Sequence, residues 1–211
     1  MARKPRVLFM AESVTLAHVV RPAQLAFSLK DSDYEVHFAA TVDYQKRLCP
    51  ENAIFHPIQS MASKEFQSRL DRGASVFNEK LLEKQIHEDL NLLDLLRPDI
   101  VVGDFRHSLS VSARIHGTPY MGIANAYWSH FNEKIMPLPE IQPFRLFGQT
   151  VSKILLNLGR SHVLPYIFQQ QAKPMNRLRE KYGLSTFANF TDCYLDADLV
   201  GFADAFEVVS P

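Results

Sequence analysis

Arg97-Pro98-Asp99-Ile100-Val101-Val102-Gly103-Asp104 lies near the middle of the chain and joins a helix stop to a β-branched run. Proline has no backbone N–H and disfavours a helical residue before it, so the helical pattern upstream should end here. The apolar run predicts a strand buried on both faces, which is typical of a parallel sheet. Asp104 then places a carboxylate at the carboxyl end of that strand.

Strand and helix patterns alternate on both sides of this run. Short apolar runs predict further strands at Val7–Ala11, Tyr34–Ala40, Ala53–Ile58, Tyr120–Ala124 and Leu199–Phe202. Helical spacing and proline positions predict helices at 22–30, at 64–96 with a break near Gly73, at 108–116, and at about 145–158 and 162–182. This alternation predicts an α/β fold: a Rossmann-like, doubly wound parallel sheet with helices on both faces and the strand order 3-2-1-4-5.

Composition limits the class of partner. The 211 residues include 23 Lys and Arg and 23 Asp and Glu, so the formal net charge is zero. Proteins that bind nucleic acid usually carry a basic excess, and we expect no nucleic-acid partner. The two cysteines, Cys49 and Cys193, are too few for a disulfide framework or a zinc cluster and should be free thiols.

Location can be predicted only from the signals that a sequence carries. We find no signal-peptide core and no apolar run approaching the ~20 residues of a membrane span, and we therefore predict a cytoplasmic protein. The apolar segment 151–158, flanked by Arg160, leaves peripheral membrane contact open, although packing on the domain is the alternative.

Several common catalytic and nucleotide-binding motifs are missing from the sequence. No GxGxxG or P-loop follows the first strand, and HExxH, CxxC and GxSxG do not occur. Asp196-Ala197-Asp198 matches the short DxD pattern of metal-dependent sugar transferases, but Asp198 directly precedes a predicted strand. We therefore predict no metal site.

His18 and Asp104 are the candidate catalytic pair. In a doubly wound sheet, ligands bind beyond the carboxyl ends of the strands, at the point where strand order reverses between strands one and four. His18 follows strand one and Asp104 ends strand four. A carboxylate can orient an imidazole so that it acts as a general base on a hydroxyl group. The alternatives are that His18 caps a helix or faces solvent, and that Asp104 is an N-cap.

Five residues after strands four and five are candidates for lining the same crevice. They are His107, Asn125, Tyr127, Trp128 and Phe131. Trp128 would provide an amphipathic wall for a small ligand, or it packs into the core. His107 would line the crevice or simply begin the next helix.

Several of these segments resemble the first half of GT-B glycosyltransferases that use nucleotide sugars, including plant and antibiotic-modifying bacterial enzymes. The family has GHV and a nearby proline where this chain has Ala17-His18-Val19 and Pro22. Its further motifs HEVxFAT, xPDxVVxDxF and GIPxV resemble Tyr34–Ala40, Arg97–Phe105 and Gly117–Tyr120, and bacterial members have a segment like Asn125–Ser129. The motifs are short, but their order and spacing match over essentially the whole chain.

The resemblance implies an inverting transfer of a hexosyl group from a nucleotide sugar to a hydroxyl of a small, partly apolar acceptor. By position, His18 would be the general base and Asp104 would orient it. The acceptor would contact His107, Asn125, Tyr127, Trp128 and Phe131. The chain itself would bind no cofactor, and the nucleotide sugar would be a co-substrate of the complete enzyme.

The sequence also departs from the family pattern. Ala17 replaces a glycine, and Pro22 comes one residue later than in the usual HxxP. We expect residues 1–211 to form a single N-terminal domain that lacks the C-terminal donor-binding domain, which would act in cis or as a separate chain. Alone, this half should be inactive. Two alternatives are a stand-alone ligand-binding module of the same fold and a flavodoxin-like nucleotide or flavin domain, the latter disfavoured because no phosphate loop follows strand one.

Overall fold

A computed structural model describes residues 3–72, 74–128, 166 and 168–204, without the side chains of Gln45, Lys46 and Trp128. Six strands form one sheet with all neighbouring pairs parallel, in the order β3-β2-β1-β4-β5-β6. The strands are β1 Arg6–Ala11, β2 Glu35–Ala40, β3 Ala53–Pro57, β4 Ile100–Asp104, β5 Tyr120–Ala124 and β6 Leu199–Phe202. The predicted Rossmann-like α/β class and the order of the first five strands are confirmed.

Helices connect these strands. They are α1 Ala17–Ser28, α2 Gln45–Leu48, α3 Ser63–Asp71, α4 Glu79–Leu96, α5 Leu109–His116 and α6 at 168–181. Short 3₁₀ turns occur at Val42–Tyr44, Ala126–Trp128 and Phe190–Tyr194. The helix predicted at 145–158 lies outside the described residues.

The predicted start of α1 was wrong by five residues. Helix α1 begins at Ala17, so Pro22 lies inside it rather than in its first turn. The helical spacing of Val19, Ala23 and Ala26 continues across the proline, and all three are buried against the sheet. Burial of this face outweighs the hydrogen bond that Pro22 cannot donate to the carbonyl of His18.

The long helical pattern at 64–96 is two helices. Helix α3 ends at Asp71, and Asn78 caps α4 by accepting a hydrogen bond from the backbone N–H of Leu81. Helix α4 ends at Leu96, and the next residue, Arg97, has a left-handed φ of 45° immediately before Pro98. The stop predicted from Arg97-Pro98 is confirmed.

Hydrophobic side chains cover both faces of the sheet. Along β1, Phe9 contributes to the core beneath α1, whereas Leu8 and Met10 contribute to the core beneath α4 and α5. This alternation explains why a wholly apolar run is required at β1. Because both faces of the sheet are covered by apolar side chains, polar groups are accommodated at its carboxyl edge.

Among the residues that the structure describes, no helix combines the length and the apolar character needed to cross a membrane.

Candidate active site at the carboxyl edge of the sheet

The structure brings His18 and Asp104 together across 86 residues of sequence. Strands β1 and β4 are neighbours with Ala11 opposite Asp104, and the first turn of α1 places His18 above this pair. His18 Nδ1 lies 2.8 Å from Asp104 Oδ1. The Asp104 side chain is fully buried, whereas 15% of the His18 side chain is exposed. One ring nitrogen therefore contacts the carboxylate, and Nε2 is left for another partner.

The Phe105 ring packs against one face of the His18 imidazole. Its ring stacks on His18 with 4.5 Å between the centroids and 21° between the planes. The backbone φ of Phe105 is 57°, a left-handed conformation that is uncommon for a residue with a large side chain. This turn directs the Phe105 ring toward His18 directly after Asp104, so backbone strain is placed at the candidate site.

A cavity of about 330 Å³ opens beside the His18–Asp104 pair. Its volume falls in the range of small-molecule sites. Aromatic side chains form much of its wall: Phe66, Phe105, Tyr127, Phe168, Phe190 and Tyr194. Four of its polar lining residues are joined by hydrogen bonds and form what we call its polar end: His18, Arg21, Asp104 and Asn125. Gln171 lines the cavity as well. The arrangement suits a largely apolar ligand with one polar group directed at His18.

The predicted lining residues lie in different places. Asn125 and Tyr127 line the cavity. The backbone of Trp128 ends the 3₁₀ turn beside them. The side chain of Trp128 and all of Phe131 lie outside the described residues, and their predicted roles stay predictions.

His107 does not line the large cavity. It borders a separate small cavity of about 30 Å³, which shares Phe105 with the lining of the other cavity. Its ring packs edge-on against Phe77, Phe105 and Tyr194. Burial lowers the pKa of His107 to about 3, so the ring is neutral at physiological pH. In this position it supports the aromatic wall rather than reaching the cavity directly.

Sequence reasoning missed Arg21. The Arg21 guanidinium binds both oxygens of Asp104, with Nε 2.7 Å from Oδ2 and Nη2 2.7 Å from Oδ1. Its Nη1 donates to Asn125 Oδ1 at 2.9 Å. Asn125 in turn donates to Asp204, which follows β6. The one available signal was that Arg21 follows His18 by three residues and therefore shares its helix face.

The aromatic wall was also missed. Phe66 comes from α3, Phe168 from α6, and Phe190 and Tyr194 from the last 3₁₀ turn. Burial raises the pKa of Tyr194 well above its ordinary value, so its hydroxyl stays neutral. Single aromatic residues on separate segments carry no shared pattern in sequence.

Asp196 and Asp198 are engaged by arginines. Asp196 forms ion pairs with Arg179 and Arg114, and Asp198 forms one with Arg114. Asp198 also accepts a hydrogen bond from the backbone N–H of Tyr120. Within the described ranges, no group of three or more His, Cys, Asp or Glu could hold a metal ion. The DxD pattern therefore joins α5 and α6 to the edge of the sheet.

Comparison with known proteins points to one group of enzymes. No family model matches the chain. It is 44% identical over 209 residues, or 99% of its length, to a Mycobacterium tuberculosis protein named PGL/p-HBAD biosynthesis rhamnosyltransferase. The same identity and the same share of this chain relate it to a Mycobacterium bovis protein named Inactive PGL/p-HBAD biosynthesis glycosyltransferase. The matches cover 45% and 56% of those relatives, so the chain spans about half their length.

Solved structures that resemble the chain include two bacterial glycosyltransferases. The spinosyn forosaminyltransferase SpnP has a TM-score of 0.49 and 12% identity, over 90% of this chain and 44% of its own. SsfS6 from Streptomyces sp. SF2575 has a TM-score of 0.48 and 16% identity, over 87% and 47% of the two chains. This level of structural likeness adds nothing to what the strand order already shows. The identity with the mycobacterial proteins, in contrast, confirms the resemblance to glycosyltransferases: by sequence, the chain is a relative of the PGL/p-HBAD biosynthesis glycosyltransferases.

Proposed function

We propose that the chain is the acceptor-binding half of an inverting glycosyltransferase. It would act with a donor-binding domain to move a hexosyl group from a nucleotide sugar to a hydroxyl of a small, partly apolar acceptor. The observation that carries this proposal is the 2.8 Å contact between His18 Nδ1 and Asp104 Oδ1 at the polar end of an aromatic cavity. The cytoplasmic location expected from the sequence belongs to the same proposal.

The proposed step needs one base and one orienting carboxylate. His18 Nε2 takes the proton of the acceptor hydroxyl as its oxygen attacks the anomeric carbon. The bond from that carbon to the nucleotide diphosphate breaks on the opposite face, and the diphosphate leaves with the bonding electrons. Asp104 holds Nδ1–H and stabilises the imidazolium that forms. Inversion follows because attack and departure occur on opposite faces.

The cavity supports an acceptor that combines a hydroxyl with an apolar body. Phe66, Phe190 and Tyr194 line the cavity, and planar or aliphatic groups both pack well against aromatic rings. Asn125 belongs to the polar end through its hydrogen bond with Arg21, and it would position the hydroxyl-bearing part of the acceptor. Tyr127 also lines the cavity.

The donor site is the part that this chain does not supply in the proposal. The match to about half of each relative's length supports a second domain as partner, in cis or as a separate chain. One relative is named a rhamnosyltransferase, so a nucleotide-linked rhamnose is the first donor to test.

A transfer assay tests the proposal. The chain is expressed alone and also joined to the remaining half of the rhamnosyltransferase relative. Each protein is incubated with nucleotide sugars and a panel of hydroxyl-bearing aromatic and aliphatic acceptors, and products are detected by mass spectrometry. We expect acceptor binding by both proteins and glycoside formation by the joined protein alone. A joined protein that folds and binds acceptor and donor, yet forms no glycoside with any pair, would contradict the proposal.

The second candidate is a stand-alone ligand-binding module without catalysis. It is favoured by one observation, namely that a relative of equal identity is named inactive. This candidate predicts that ligands bind the cavity with the same affinity in wild type and in His18→Ala, and that no added donor half produces transfer.

A further inference from the structure

Arg21 is placed where it controls the charge around His18. His18 and Arg21 lie one helical turn apart on α1, and both reach Asp104 at the end of β4. The guanidinium engages the carboxylate as a fork with two contacts of 2.7 Å. Its Nη2 is also 2.7 Å from His18 Nδ1. Three charged or titratable groups therefore meet in one partly enclosed cluster.

The charges of this cluster cancel while the imidazole is neutral. Asp104 is fully buried and carries a negative charge that needs a nearby positive partner. Arg21 supplies that partner through paired, charge-assisted hydrogen bonds. If Arg21 lost its charge, the imidazole of His18 would be the adjacent group able to become positive. A general base must instead start without its proton.

We propose that Arg21 is a positioning residue that keeps His18 neutral by satisfying the charge of Asp104, so that Nε2 is free to accept a proton. This inference rests on the proposed function for its purpose, although the ring's charge is measurable without any reaction.

Phe105 covers one face of the His18 ring. The other titratable groups nearby do not supply the positive charge that Arg21 gives to Asp104. His107 is neutral, since burial lowers its pKa to about 3. Tyr194 is neutral as well, because burial raises its pKa. Tyr127, on the turn after β5, also lines the cavity. Asp204 reaches the cluster through Asn125 and adds a second negative charge, which increases the need for Arg21.

The geometry also limits how the ring can be protonated. Asp104 Oδ1 accepts from Arg21 Nη2 and lies 2.8 Å from His18 Nδ1. A proton on Nδ1 makes this second contact a hydrogen bond and leaves Nε2 bare. A bare Nδ1 would accept from Nη2 but would face the carboxylate oxygen lone pair to lone pair. With Nδ1 protonated, Nη2 must direct its hydrogens to Asp104 Oδ1 rather than to the ring, which its 2.7 Å contact with that oxygen allows. The productive tautomer therefore depends on Arg21 donating to the carboxylate.

Histidine nitrogen NMR on the 211-residue chain tests this directly. Chemical shifts of the ring nitrogens distinguish imidazole from imidazolium, and the signal absent in His18→Gln identifies His18. At pH 7 we expect a neutral ring in wild type, an imidazolium in Arg21→Met, and a mostly neutral ring in Arg21→Lys, which keeps the charge. In Arg21→Met with Asp104→Asn, both charges are removed and the ring should be neutral again.

A neutral His18 ring in folded Arg21→Met overturns the proposal. If Arg21→Met does not fold, Arg21→Gln serves instead, because its amide can still donate to Asp104 without carrying charge. The same imidazolium is expected there, and a neutral ring is again the contradicting result. A merely structural role for Arg21 would not be reversed by Asp104→Asn.

Activity provides a second readout in the joined protein. Turnover of Arg21→Met should fall roughly tenfold or more at pH 7 and should approach that of wild type as the pH is raised, with little change in acceptor KM. A loss that is equal at all pH values contradicts the inference. Absence of transfer in the wild-type joined protein would contradict the proposed function but leave the NMR test intact, so the two failures are distinguishable.

Discussion

Two arginines lie near the carboxyl edge of the sheet, and each forms an ion pair with at least one buried carboxylate. Arg106 is completely buried and forms ion pairs with Glu12, Glu88 and Asp89. Arg21 keeps 21% of its side chain exposed and pairs with Asp104. Both networks join helices to strand ends, yet only the Arg21 network includes an imidazole and borders the aromatic cavity.

The two networks differ in what their polar groups face. We call the Arg106 network closed, because its groups bind one another, and the Arg21 network open, because it borders the cavity. Asp89 is fully buried and accepts from Arg106, Ser108 and Ser112, with nothing directed at a ligand. The Arg106 cluster thus fastens α4 to the loop after β4. In the other network, no hydrogen bond joins His18 Nε2 to any residue that the structure describes. A buried arginine–carboxylate pair indicates a reaction site only when a third group has an unused function beside a cavity.

The largest expected effect is on turnover at the open network. If His18 is the general base, His18→Ala should lower turnover in the joined protein by about 10²–10⁴-fold. The melting temperature should change little, because Arg21 still pairs with the buried Asp104 carboxylate. Steady-state kinetics and thermal unfolding measure the two quantities. His87→Ala, at an exposed position of α4, is the matched control and should leave turnover unchanged. Unchanged turnover in His18→Ala would remove the proposed base.

A substitution in the closed network should lower the stability of the protein rather than its turnover. Asp89→Ala leaves the Arg106 guanidinium and two hydroxyls without their shared acceptor, and should lower the free energy of unfolding by about 3–5 kcal/mol. Urea unfolding measures this change. Turnover per folded molecule should stay near that of wild type. A strong loss of turnover in the folded fraction would show that the two networks are not separate.

The substitution Asp104→Asn tests whether Asp104 belongs to the open network. We expect turnover to fall on the order of 10²-fold, because the amide no longer stabilises the imidazolium, while acceptor affinity changes little. Kinetics and equilibrium binding of the acceptor separate the two effects. Equal losses in binding and turnover would instead give Asp104 the structural role that Asp89 has.

The aromatic wall should contribute less per residue. Phe66 packs edge-on against Phe105 and faces the cavity. Phe66→Ala should weaken acceptor binding by about 1 kcal/mol, or roughly fivefold, through lost contact area. Calorimetry on the chain measures the affinity. Phe27→Ala, exposed on α1 away from the cavity lining, is the control. Equal affinity in Phe66→Ala would place the acceptor elsewhere.

The smallest effect concerns pH and the closed network. Burial raises the pKa of Glu12 above its ordinary value of 4.5, more than Arg106 lowers it. The folded state therefore holds this proton more tightly than the unfolded state, and the contribution of Glu12 to stability decreases as the pH rises above 4.5. Glu12→Gln keeps the shape without the charge. Its stability relative to wild type should increase between pH 4.5 and neutrality, as measured by urea unfolding. A constant difference across this range would contradict the assignment.

Most of the sheet was predictable from the sequence. The limits of β5 and β6 agree with the predicted strands, because apolar runs bounded by turns are local signals. The neighbours of β1 followed from the strand order usual in doubly wound sheets, which also placed His18 and Asp104 at one edge. The start of α1 was wrong because a statistical preference for proline in the first turn gave way to burial of Val19 and Ala23.

The side chains that form the site were less predictable from the sequence than the sheet. Short-range periodicity predicts the strands and helices, and handed connections predict how the strands are arranged. Together they establish a parallel sheet with a crevice where β1 and β4 meet. The partner of Asp104 depends on the exact seating of α1 above β4, which positions Arg21 across 83 residues of sequence. The separation of His107 from the cavity depends on the Phe105 turn, and the aromatic wall depends on three distant segments. Only tertiary packing decides such contacts, because they join side chains whose spacing along the chain carries no periodic signal.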